Sequence, residues 1–194
     1  LYLSGFASLT REQEQSTEAT VKEVIRRLRS YQTVDGSFSY WPGGTAPNAW
    51  GTVYAIHFLL EAEKKGYLVP EGMKRNALND LSRIARNWKP EASYSAESEE
   101  MTQAYRLFVL ALGQIAEVGA MNRLKESKTL MSMSRYLLAA GYALVGRPDV
   151  SKELVVKTTA LTTACSGYDQ TFGSDLRDTS IRLMTLCLLD GGKE

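Results

Sequence analysis

Ala49-Trp50-Gly51-Thr52-Val53-Tyr54-Ala55-Ile56-His57-Phe58-Leu59-Leu60-Glu61-Ala62-Glu63-Lys64-Lys65 reads as a helix that is apolar nearly all round from Trp50 through Leu60. Such a helix is surrounded by protein rather than laid on its surface, and Gly66 supplies a C-terminal stop. The segments on either side differ. Upstream, Val21, Val24, Ile25 and Leu28 repeat at i, i+3, i+4, i+7 beside Lys22, Glu23, Arg26, Arg27 and Arg29, the pattern of a helix with one buried face. Downstream, Pro70 opens a helix whose stripe is Ala77, Leu81, Ile84 and Trp88, with Pro90 just beyond its end.

The alternation continues outward. Glu99 to Val118 is apolar on most sides, Met121 to Lys128 is short and polar, and Ser134 to Val145 is apolar again. Pro148 to Thr159 is mixed, and Leu176 to Leu189 is apolar. Helix hairpins with short loops place sequence neighbours side by side. One-faced and enclosed helices taking turns therefore predict an all-α fold of two layers, an α/α toroid or an arc of one. A closed toroid of six hairpins needs about twelve helices. About eight are read here, so the remainder is expected upstream. The opening Leu1-Tyr2-Leu3, without Met, basic region or cleavage site, reads as the edge of a piece cut from a longer chain. Residues 1–194 are read as a single helical domain. No strand pair is evident, although the β-branched run from Thr158 to Thr163 weakens one helix end, and Tyr168 to Phe172 reads as a short extended turn.

Composition excludes several classes. The chain has 194 residues, a formal charge of +1 and a 44% hydrophobic fraction. This is ordinary globular make-up without a basic footprint for nucleic acid. No apolar run approaches the roughly 18 residues of a membrane span. Cys165 and Cys187 are too few and too far apart for a disulfide framework or a zinc pair, and read as buried small hydrophobes.

Two loops and one side chain are the candidate sites. Tyr31, Phe38, Tyr40, Trp41 and Trp50 crowd the loop between the first two helices, around Asp35-Gly36 and Pro42-Gly43-Gly44. Those dipeptides mark tight turns, so the aromatics sit on a defined loop. It reads as a plug over the helix ends, with Asp35 bonding loop amides; a stacking platform for a sugar or prenyl group is the alternative. The second loop is Tyr168-Asp169-Gln170-Thr171-Phe172-Gly173-Ser174-Asp175, ahead of the last helix. Ser174 or Asp175 is expected to cap that helix, Asp178 to sit near its positive end, and Arg177 to reach an acidic residue across the ring. His57, the only histidine, lies mid-helix and is read as a hydrogen-bonded inner residue before a general base. Glu97, Glu99 and Glu100 read as a solvated helix start. No Walker loop, Gly-x-Ser-x-Gly or His-Glu-x-x-His occurs, and no metal or cofactor is expected.

Tyr31-Gln32-Thr33-Val34-Asp35-Gly36-Ser37-Phe38-Ser39-Tyr40-Trp41-Pro42-Gly43-Gly44, followed by Trp50-Gly51-Thr52-Val53-Tyr54-Ala55-Ile56-His57, resembles the thioester domain of bacterial alpha-2-macroglobulin-like proteins. Thr171-Phe172-Gly173-Ser174-Asp175-Leu176-Arg177-Asp178 looks like a second signature of that family. The resemblance implies a toroidal domain of a secreted or surface-tethered protease trap, extracellular or periplasmic. Its partners would be the other domains of the parent chain and the attacking proteases, with no catalytic turnover, nucleic acid or membrane contact by this segment. In such proteins an internal thioester, built from Cys-x-Glu-Gln, acylates a lysine of the protease. It must be kept from water until then. That motif does not occur here: Ser166-Gly167 follows Cys165 and Leu188-Leu189 follows Cys187. No thioester residue can be carried over, and the motif is expected upstream if the parent has one. The Gln32 to Phe38 piece is also similar to repeats of terpene cyclases and prenyltransferases, so an enzyme on the same toroid, isoprenoid- or carbohydrate-active, is the alternative. It would need an Asp-rich metal motif, absent here, or two carboxylates on one cleft.

Overall fold

The computed structural model describes residues 8–90, 96–127, 130–156 and 171–191. Among them are eight helices: α1 (Arg11–Leu28), α2 (Ala49–Lys64), α3 (Glu71–Asn87), α4 (Ala96–Leu112), α5 (Val118–Lys125), α6 (Ser132–Leu144), α7 (Pro148–Val156) and α8 (Asp175–Asp190). Extended pairing among the described residues is limited to isolated antiparallel bridges, Gln32 with Phe38 and Ser39 with Pro47. The all-helical class agrees with the sequence and is consistent with an α/α toroid. The chain divides into two compact units, one ending at Asp80 and the other beginning at Leu81, within α3.

In the first unit, α1 begins with a reciprocal cap. The Gln13 amide donates to Thr10 Oγ1 at 3.3 Å, and the Thr10 amide donates to Gln13 Oε1 at 2.9 Å. Its outer face carries Glu18–Lys22 and Glu23–Arg26/Arg27 pairs, while Val21 and Ile25 are its buried residues. These exposed pairs add little stability, so α1 is held mainly by its short apolar stripe. In α2, Asn48 caps the Gly51 amide at 2.6 Å, and Thr52, Val53, Ala55, Ile56, Leu59, Glu61 and Ala62 are buried. The helix ends in a Schellman motif: the Tyr67 amide donates to Ala62 O, the Gly66 amide donates to Glu63 O, and Gly66 takes φ +88°. Enclosure is not complete on every side, because Tyr54 is 65% exposed.

In the second unit, every residue of α4 from Glu100 through Ala111 is buried. The helix stops at Leu112, short of the expected Val118. Gln114 takes φ +62°, and the Ile115 amide turns back to donate to Leu110 O at 2.9 Å. A glutamine in the left-handed region gives no stop signal by type, which is why the sequence overran it; α5 correspondingly starts at Val118 rather than Met121. Nor are all the acids at the start of α4 solvated: Glu100 is 8% exposed and accepts the Met131 amide at 2.9 Å. Burial pushes its carboxyl above the ordinary carboxylate range.

The enclosed character of α6 is observed, with Met133, Ser134 and Leu137 through Tyr142 buried. Tyr142 OH donates to Asn122 Oδ1 of α5 at 2.6 Å, and Ser151 Oγ of α7 donates to Ala139 O at 2.7 Å. A side chain at Gly141 would come within 3.3 Å of Met121 Cε and 3.5 Å of Phe108 Cα, so a glycine permits the close approach of α4, α5 and α6.

The expectation for α8 is overturned. It buries Asp178 and Thr185, whereas Leu176 and Leu183 are 78% and 61% exposed. Apolar composition shows that a face can be buried, but burial needs a neighbour. Among the described residues α8 packs mainly on α6, with a smaller contact to α7. Cys187 on this helix is an exposed free thiol, contrary to the buried reading. Cys165, the Thr158–Thr163 run and most of the Tyr168–Phe172 turn lie outside the described residues.

Candidate functional site

The aromatic loop is fixed by its backbone before its rings are considered. The Thr33 amide donates to Ser37 O at 2.9 Å, the Gly36 amide donates to Thr33 O at 3.0 Å, and the Ser39 amide donates to Tyr31 O at 2.8 Å. At the turn, Gly36 has φ +105°, and a Cβ there would lie 2.4 Å from Asn76 O on α3. Conformation and space therefore both demand glycine. Gln32 Nε2 spans the same junction, donating to Gly36 O at 3.0 Å and Met73 O at 2.9 Å. Ser37 Oγ donates to the buried Asp80 carboxylate at 2.6 Å. Gly43, at φ +73°, donates its amide to Ser30 O at 2.6 Å.

Thr52, in the first turn of α2, ties loop to helix. Its hydroxyl accepts the Phe38 amide at 2.9 Å and donates to Phe38 O at 3.1 Å. Thr52 thus pairs both polar groups of a buried backbone unit, whose carbonyl also accepts the Asn48 amide at 2.8 Å. Sequence reading missed Thr52, Ser37–Asp80 and Gln32, for their partners lie on other elements and no local spacing announces them. Asp35 is exposed, and among the described residues the loop is held by other groups than its carboxylate, contrary to the expected role.

The frame sorts the aromatics into two sets. Phe38 is 2% exposed and belongs to the core, and Trp50 is half-buried. Tyr40 and Trp41 project at 58% and 71% exposure, with ring centroids 5.0 Å apart at 77°. This edge-to-face pair shields neither ring from water, although such contact favours a fixed relative geometry.

The second loop is braced by an arginine. Arg177 Nη1 donates to Thr171 O at 2.9 Å and Thr171 Oγ1 at 2.7 Å, and its Nε donates to Asp178 Oδ1 at 2.8 Å. Among the described residues the adjacent Asp178 is an acidic partner of this arginine. Asp178 is 5% exposed, so this is a mostly buried pair whose members need each other. Ser174 Oγ accepts the Arg177 amide at 3.1 Å, making Ser174 rather than Asp175 the cap. Phe172, at φ +52°, is held outward at 69% exposure.

His57 is half-buried and borders a cleft of about 520 Å³ between α1 and α2, with Thr17, Thr20, Tyr54, Phe58 and Glu61. Burial lowers its pKa from the ordinary 6.5, against the opposing pull of Glu61. It is thus neutral near pH 7. The structure brings His57 to the helix pair, not to either loop. Among the described residues no cluster of three metal-ligating side chains occurs, and no helix is long and apolar enough to cross a membrane.

No family model matches the chain. Among curated proteins, it is 27% identical to alpha-2-macroglobulin of Escherichia coli K12, over 90% of this chain and 11% of that protein. It is 28% identical to alpha-2-macroglobulin of Xylella fastidiosa, over 82% of this chain and 10% of that protein. The chain therefore spans about a tenth of the length of these relatives. Among solved structures, native E. coli alpha-2-macroglobulin from domain MG7 to the C-terminus superposes with a TM-score of 0.79. The identity is 23%, over 95% of this chain and 30% of that one. Salmonella alpha-2-macroglobulin reacted with methylamine gives 0.79 and 24%, over 96% of this chain and 12% of that one.

Proposed function

We propose that this chain, homologous to bacterial alpha-2-macroglobulins, is the helical thioester-type domain of a protease trap, contributing packing and conformational response rather than turnover. The carrying observation is continuous similarity over 90% of the chain to one short stretch of a much longer relative. The aromatic loop and the Arg177 brace then serve as rigid ends of helical hairpins, and Tyr40 with Trp41 offers a face for another domain of the parent. The site of action is extracellular or periplasmic. The parent would supply the Cys-x-Glu-Gln motif that these residues lack.

The test is made on the full-length parent. Challenge with trypsin or elastase should give an adduct that survives denaturation in SDS, and pretreatment with methylamine should abolish it. A parent that stays cleaved but unconjugated, and leaves the protease free to attack large substrates, would overturn the reading.

A further inference from the structure

Inside the most enclosed helix, α4, one face is polar. Glu99, Gln103 and Arg106 follow each other at i, i+4 and i+7 and so form one stripe. Gln103 is 1% exposed and spends its Nε2 on Ala85 O of α3 at 2.9 Å. Its Oε1 accepts Arg106 Nη1 at 3.1 Å. Arg106 is 8% exposed, and among the described residues this amide is its hydrogen-bond partner, with no carboxylate within ion-pair distance. Glu99 acts on it only through longer-range attraction, too weak to cancel burial, which lowers the guanidinium pKa to about 10.

A buried guanidinium with one neutral hydrogen bond is costly, and an apolar side chain of similar size avoids that cost. Yet none of the Arg106 nitrogens is among the fully buried side-chain atoms that lack a partner. The nitrogens that Gln103 leaves unbonded are therefore not wholly sealed from solvent. With only 8% of the residue exposed, such a positive end attracts an anion more strongly than an exposed arginine does. A planar oxyanion matches the two remaining parallel N–H directions.

We propose that Arg106 is an anchor for an incoming carboxylate, with Gln103 as the positioning residue that aims the fork. This goes beyond the protease-trap reading and stands or falls separately from it. The carboxylate can come from a free small acid or from an acidic side chain or C-terminus of a docking polypeptide, and the test separates the two.

The 194-residue chain is titrated at pH 7.5 with sodium acetate, against sodium chloride at equal ionic strength, following the Arg106 Nε–Hε resonance assigned by its loss in Arg106→Met. A saturable shift with acetate but not chloride is expected. It should weaken at least tenfold in Arg106→Lys, which keeps the charge and loses the fork, and be redirected in Gln103→Leu. A short peptide ending in Glu is compared with its C-terminal amide and Gln counterpart. Tighter binding than acetate assigns the site to polypeptide; equal binding assigns it to small acids. The thermal midpoint gives an independent readout, with acetate raising it in the wild type and not in Arg106→Met. An acetate response that persists unchanged in Arg106→Met and Arg106→Lys, or equal responses to acetate and chloride, would overturn the proposal.

Discussion

At Gly36 two independent constraints meet in one residue, a φ of +105° and an Asn76 carbonyl 2.4 Å from where a Cβ would stand. Gly36→Ala should therefore cost about 3 kcal/mol, the range of a strained backbone plus a clash that backbone must relieve. Urea unfolding reads it, and a loss under 1 kcal/mol would mean that the loop is not locked against α3. Thr52 makes a complementary case. Thr52→Val keeps the shape but leaves the buried Phe38 amide without its partner, while the carbonyl keeps the Asn48 amide, at about 2 kcal/mol. Thr52→Ser, retaining the hydroxyl, should lose less than half of that. For His57, burial lowers the folded pKa below 6.5, so the unfolded chain takes up the proton first. Stability then falls as pH drops below about 6.5 and levels off once the folded form also titrates. His57→Gln should flatten that fall in denaturant melts between pH 7.5 and 5; an unchanged pH profile would show that other groups govern it.

Helices that look alike in composition differ by what lies against them. Leu138 in α6 is fully buried, whereas Leu183 in α8 is 61% exposed. Leu138→Ala should cost about 2–5 kcal/mol, and Leu183→Ala within about 0.5 kcal/mol. Comparable losses at both positions would mean that α8 is covered in solution. The same contrast explains what could be read in advance. The α4 and α6 stretches were legible as enclosed because their apolar runs, Leu107 to Leu112 and Leu137 to Leu144, cover most sides of a helix, and both are buried as expected. Their ends were less so, since the Gln114 turn and the Glu100–Met131 bond depend on residues that carry no local signal. The Arg177 brace was half legible: an arginine near acids was evident, but its choice of Asp178 and Thr171 depended on how the chain enters α8.

For the molecule as a whole, the absence of Cys-x-Glu-Gln from the sequence fixes an expectation. The 194-residue chain, mixed with trypsin or elastase, should form no SDS-resistant adduct, because neither cysteine is followed by the residues a thioester needs. Intact mass spectrometry checks it, and a covalent adduct on Cys187, the exposed thiol, would assign chemistry to this segment after all.

From sequence alone came the all-helical class, the alternation of one-faced and enclosed segments, the loop that precedes α2 and the resemblance to alpha-2-macroglobulins. All of these rest on periodicity, turn residues or a run of local motif. Tertiary structure decided which aromatics are core and which are exposed, that His57 faces a helix pair, that α8 has an uncovered side, and that Arg106 is buried with one amide for company. Local pattern states what a segment can bury; only the neighbours supplied by the rest of the chain decide what it does bury.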